Sequence, residues 1–166
     1  MSHSAINSQP KKLAVCYRTL SADLETPISA FLKLCSTGPA FLLESADGGE
    51  QVARYSFLGW NPYITLKGYK TTMETITRDG KSTIEETDAI CALRKIMQTY
   101  SQPQHKGLPR FLGGAVGYFG YDVANQLEPV GTAGTDDLQL PDTYLQFMQN
   151  IVVFDHFAHK MYLAAN

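Results

Sequence analysis

Between Arg54 and Glu86 the chain is dominated by β-branched and aromatic residues, and the dipeptide Asp79-Gly80 interrupts this run between two short extended segments. Such residues fit the half-buried surface of a pleated sheet. Asp-Gly supplies the positive backbone torsion that a tight hairpin turn needs. Residues 71–77 and 82–86 are therefore predicted to be antiparallel partners. Tyr55, Phe57 and the segment 64–69 extend the same signal upstream. No regular strand–helix–strand alternation accompanies it, which favours an α+β domain: a mostly antiparallel β-sheet with flanking helices.

Two helices interrupt the strands. Thr26-Pro27 reads as a hydroxyl cap followed by proline at the first helical position. Ile28, Phe31, Leu32 and Cys35 then recur at helical spacing until Gly38-Pro39. A second helix starts near Thr87 or Asp88, with Ile90, Leu93, Ile96, Met97 and Tyr100 on one predicted face. Residues 11–20 and 40–45 suggest further strands, the latter in the core, and 111–129 a glycine-rich strand followed by a short helix. Residues 148–154 and 160–165 read as paired strands around a turn at 155–159. The apolar stretch 162–165 would be an unprotected edge unless another segment paired with it.

The 166 residues suffice for one domain with a real core, taken as 13–166 behind a tail at 1–12. A net charge of −2 gives no reason to expect nucleic acid or an anionic membrane surface. No apolar run is long enough to span a bilayer, and the polar N-terminus does not read as a secretory signal. Cys16, Cys35 and Cys91 are scattered among apolar neighbours, a pattern expected of reduced core thiols in a cytoplasmic protein.

The most informative stretch is 41–59, FLLESADGGEQVARYSFLG. Three apolar residues run directly into Glu44 and Ser45. On a strand, Leu42 and Glu44 share one face while Leu43 and Ser45 share the other. One reading ends the strand at Leu43 and leaves Glu44 in solvent, because carboxylates are rarely buried unpaired. The other has Glu44 accept a charge-assisted hydrogen bond from a ligand ammonium or N–H. Ser45 and Ser56 then supply hydroxyls, and Tyr55 a flat wall.

Gly114, Gly117 and Gly120 recur every third residue but match no phosphate-binding fingerprint, so close backbone packing is expected there. The Asp155, His156 and His159 cluster reads as turn residues, since a metal site needs three or four converging ligands. No metal ligands and no catalytic set emerge.

Leu42-Leu43-Glu44-Ser45, ten intervening residues and Ser56 resemble the L-L-E-S…S signature of anthranilate synthase component I. RYSFLG (54–59) with Pro62, FLGGAVGYFGYD (111–122) and VVFDHFAHKMYL (152–163) are similar to the same family and follow in family order. The resemblance implies an N-terminal domain that contributes an L-tryptophan feedback site lined by Glu44 and Ser45, with Tyr55 and Ser56 close by. Arg54 is a candidate cation for the ligand carboxylate, although on a strand it would face away from Tyr55. The resemblance further implies that a C-terminal chorismate-binding domain with its Mg²⁺ carboxylates lies outside this chain, which alone would not turn over chorismate. A glutamine amidotransferase subunit is the implied partner. Two alternatives stay open: a domain that mainly docks that subunit, and the related para-aminobenzoate (aminodeoxychorismate) branch.

Overall fold

The computed structural model describes residues 14–44, 54–100, 106–128, 131 and 138–166; the expected tail at 1–12 lies outside them. Strands β1 (Cys16–Ser21), β2 (Ala40–Leu43), β3 (Tyr55–Tyr69), β4 (Thr72–Thr77), β5 (Ser82–Glu86), β6 (Ala115–Phe119), β7 (Thr143–Asp155) and β8 (Lys160–Ala165) form one sheet. All their pairings are antiparallel. Helices α1 (Pro27–Leu34) and α2 (Ala89–Thr99) flank it, and a short 3-10 helix covers Tyr121–Gln126.

The two long strands carry the architecture. β3 and β7 pair from Tyr55↔Asp155 to Gly68↔Thr143. At one end of this ladder β2 flanks β3, while β8 and then β1 lie beyond β7. At the other end β4 and β5 extend from β3, and β6 flanks β7. The register slips between Pro62 and Ile64, where proline has no N–H to give the ladder. Tyr63, the extra residue of this bulge, packs its ring against Tyr100 and Phe147.

One sheet face holds Leu58, Val152 and Phe154 under Ala30 and Phe31 of α1. The opposite face carries two clusters. Ile64, Leu66, Leu145 and Phe147 pack under Ala89, Ala92 and Ile96 of α2. Ile151 and Val153 pack with Leu112 and Phe111. Leu58, Leu66 and Val153 are fully buried, and each such side chain stabilises the fold by about 1.5–3 kcal/mol.

The hairpins fall where the turn residues place them. Gly80 has φ +80 between β4 and β5, and the turn closes through Thr77 N–H to the Lys81 carbonyl at 2.9 Å. The terminal strand β8 is not an edge: β1 covers it from Cys16↔Ala165 to Ser21↔Lys160. Close packing explains Gly117, where a Cβ would run into the Tyr144 carbonyl of β7.

Three expectations need correction. Cys16 and Cys91 are exposed and Cys35 only half-buried, so the free thiols are not core residues. Cys16 lies on the edge strand, and Cys91 lies off the α2 face that buries Ala89, Ala92 and Ile96. For the same reason Met97 is exposed. In α1 the buried positions are Pro27 and Ala30, leaving Ile28 and Leu32 outside. Small residues let each helix sit close to the sheet, which turns the larger apolar side chains away.

Candidate ligand site at the end of the central strands

β2 delivers its C-terminal end to the start of β3. Leu42 pairs with Leu58 and Leu43 with Phe57. Continuing that register by one residue sets Glu44 opposite Ser56. Paired residues share a sheet face, so Ser56, two residues from Leu58, belongs to the face that α1 covers, and Glu44 would share it if the register ran on. β2 itself stops at Leu43, and Glu44 is exposed. The carboxylate expected to turn inward thus meets solvent in this chain, because burial already falls off at Leu43. Ser45 lies outside the described residues.

Ser56 is buried at 2% exposure. Its Oγ lies 2.7 Å from Nε2 of His156, which follows directly on β7. The residue is held from two more directions. Its ring stacks on Phe154 with centroids 6.5 Å apart, and its backbone N–H donates to the Arg54 carbonyl at 2.9 Å.

Tyr55 occupies the reverse face. It packs with Phe57 and Phe111 beside Val153 and pairs across the ladder with Asp155. No single sheet face therefore presents Tyr55 together with Glu44 and Ser56. Arg54 precedes β3, escapes the strand alternation, and folds its guanidinium over the Tyr55 ring at 4.9 Å. It does not face away from Tyr55, and its charge is engaged. Its Nε and Nη2 donate to the two carboxylate oxygens of Asp155 at 3.1 and 2.7 Å.

Asp155 is 2% exposed and also accepts from the Ala158 N–H at 3.1 Å. Burial pushes its carboxyl up, but the Arg54 hydrogen bonds and the Ala158 N–H outweigh this and hold it below the ordinary carboxylate value. Burial, then the Asp155 charge, raises the Tyr55 phenol.

Asp155 and His156 were legible only as turn residues. In fact Asp155 ends β7 and anchors Arg54, and His156 engages Ser56. The missed signal was strand alternation running through Phe154, Asp155 and His156, which sends the two polar side chains to opposite faces. No helix among the described residues is long and apolar enough to cross a membrane.

No protein-family model matches the chain. It is 38% identical over 145 residues to anthranilate synthase component 1 of Acetivibrio thermocellus, covering 87% of this chain and 29% of that protein. It is 36% identical over 155 residues to the Pseudomonas aeruginosa protein of the same name, covering 91% and 31%. The crystal structure of anthranilate synthase component I from Streptococcus pneumoniae superimposes with a TM-score of 0.58 at 26% identity, over 87% of this chain and 30% of that one. The chain thus spans about three tenths of the length of the relatives it matches. In sequence and in fold it is a homologue of anthranilate synthase component I over that portion.

Proposed function

We propose that the chain is the regulatory N-terminal part of a component I of anthranilate synthase, contributing an L-tryptophan feedback site built on Glu44, Ser45 and Ser56, with Tyr55 supporting it from the reverse face. The observation that carries this reading is the β2–β3 register, which ends at Leu43↔Phe57 and so brings the chain to Glu44 beside the start of β3. Continued one residue past Leu43↔Phe57, the register sets a carboxylate, which can only accept, opposite a hydroxyl that can donate or accept. An α-amino acid needs such a pair, an acceptor for its ammonium and a donor for its carboxylate.

The exposure of Glu44 fits a pocket completed by the rest of a longer protein. Chorismate, Mg²⁺ and the lyase chemistry belong to that remainder in this reading, with a glutamine amidotransferase subunit as its partner and the cytoplasm as its compartment. The chain by itself is inactive on chorismate. It binds tryptophan weakly, because a solvated carboxylate gains little from an ion pair. Inhibition then works by linkage: tryptophan favours the inhibited arrangement of the two domains by no more than its difference in affinity between arrangements.

Kinetics of a complete component I carrying this domain test the reading. A hydrogen bond to a charged group contributes about 1.5–3 kcal/mol. Glu44→Ala should therefore raise the tryptophan concentration for half-inhibition, measured against each variant's own uninhibited rate, by roughly tenfold or more. An unchanged value would refute the assignment.

A docking role is a second reading, favoured by Leu24, Ile28 and Leu32, which are 95%, 55% and 72% exposed around α1. Capture of the amidotransferase subunit by the chain, lost in Ile28→Glu/Leu32→Glu but not in Glu44→Ala, would support it.

A further inference from the structure

We propose that His156 is a positioning residue of this ligand face, whose imidazole decides whether the Ser56 hydroxyl offers a ligand a proton or a lone pair. The inference rests on the tryptophan reading above. Ser56 is buried, and its Oγ meets Nε2 of His156 at 2.7 Å. That contact can run in two directions. When Nε2 carries no proton, it accepts the Ser56 O–H, and the serine oxygen is left as an acceptor only. When Nε2 carries a proton, it donates to Ser56, and the serine proton is free to turn toward a ligand carboxylate. Protonation of the ring fixes the second arrangement, because both nitrogens are then donors.

His156 is suited to this task by its supports. The Phe154 ring and the Arg54 carbonyl fix its plane and its backbone, while the residue itself is exposed and can exchange protons with water. The charged groups around it are otherwise engaged or distant in register. On β3, Arg54 is bound to Asp155, whose carboxylate lies on the reverse face. On α1, Lys33 is bound to Glu25 at 2.6 Å. Lys160 opens β8 opposite Asp155, and His159 lies in the connecting turn. Glu44, the residue after β2, is exposed and is the acidic group that the continued register brings toward the same face.

The consequence is a pH dependence of known sign. A ligand carboxylate is served better by the protonated ring, so tryptophan affinity should be higher in more acidic solution. The test uses a complete component I carrying this domain as parent, Glu44→Ala, His156→Ala and His156→Gln, with half-inhibition by L-tryptophan read at about pH 6 and about pH 8. The parent should be more sensitive at the lower pH. His156→Ala should weaken inhibition by about three- to tenfold. His156→Gln, which keeps a donor and acceptor for Ser56 but does not titrate, should restore much of it and abolish the pH difference. If both histidine variants keep the parent's sensitivity and pH profile while Glu44→Ala weakens inhibition, the inference fails and the tryptophan reading stands. If Glu44→Ala is also without effect, both fail. Should His156→Ala not fold, the His156→Gln profile decides alone.

Discussion

Arg54 and Asp155, 101 positions apart, close the end of the central ladder through two N–H···O bonds, and this fork joins the start of β3 to the end of β7. Asp155 is buried, whereas the Arg54 side chain is 44% exposed, so the two partners are not equivalent. Removing the arginine leaves a buried carboxylate; removing the aspartate leaves a cation that can reach water. Asp155→Ala also strips the Ala158 N–H of its acceptor. We expect it to lower the unfolding free energy by about 1–3 kcal/mol in urea titrations at neutral pH, with Asp155→Asn intermediate. Parent-like stability of Asp155→Ala would show that the fork adds nothing to the fold.

The same pair gives the fold an acid limb. The folded value of the Asp155 carboxyl lies below its unfolded value. Its stabilisation is therefore present above the unfolded value, near 4, and is lost as pH falls through the lower folded value. Urea midpoints should decline below about pH 4, and less steeply in Asp155→Asn. Identical slopes in the two proteins would assign the acid limb to other carboxyls.

Gly117 is where β6 comes against β7. Its φ is +155, and an added Cβ would collide with the Tyr144 carbonyl, a backbone atom that cannot swing aside. Gly117→Ala should cost about 1–3 kcal/mol. Hydrogen exchange of the β6 amides should accelerate more than that of β4. Uniform acceleration, or none, would contradict this placement.

Helix α1 covers the Ser56 face and is held at its start by a reciprocal cap. Ser29 N–H donates to Thr26 Oγ1 at 3.1 Å, and Thr26 N–H donates to Ser29 Oγ at 2.9 Å. Thr26→Ala should cost about 1 kcal/mol, a fall in melting temperature of about 2–4 °C for a chain of this size. A larger loss would mean that the cap also supports packing under Ala30.

Much of the fold was legible in local chemistry. Asp79-Gly80 marked the β4–β5 hairpin, Thr26-Pro27 the start of α1, Asp88 the cap of α2, and residues 155–159 the β7–β8 turn. These signals lie within a few residues of what they specify. The cover that β1 provides for β8 was not legible, because its partners are 149 positions apart at Cys16↔Ala165 and no local pattern names them. The helix faces were misread toward Ile28, Leu32 and Met97 because hydrophobicity favours the largest side chains, whereas close helix–sheet contact favours Ala30, Ala89 and Ala92. At the candidate site, Glu44 and Ser56 stood out in sequence. Asp155 and His156 looked like turn residues because a turn does follow them, and only the β3–β7 register reveals their partners.

Calorimetric titration of L-tryptophan into a complete component I carrying this domain, beside its Glu44→Ala variant, tests the central claim most directly. The account predicts that the variant binds at least about tenfold more weakly, in keeping with the loss of one charge-assisted hydrogen bond. Equal affinity of the two proteins would contradict it.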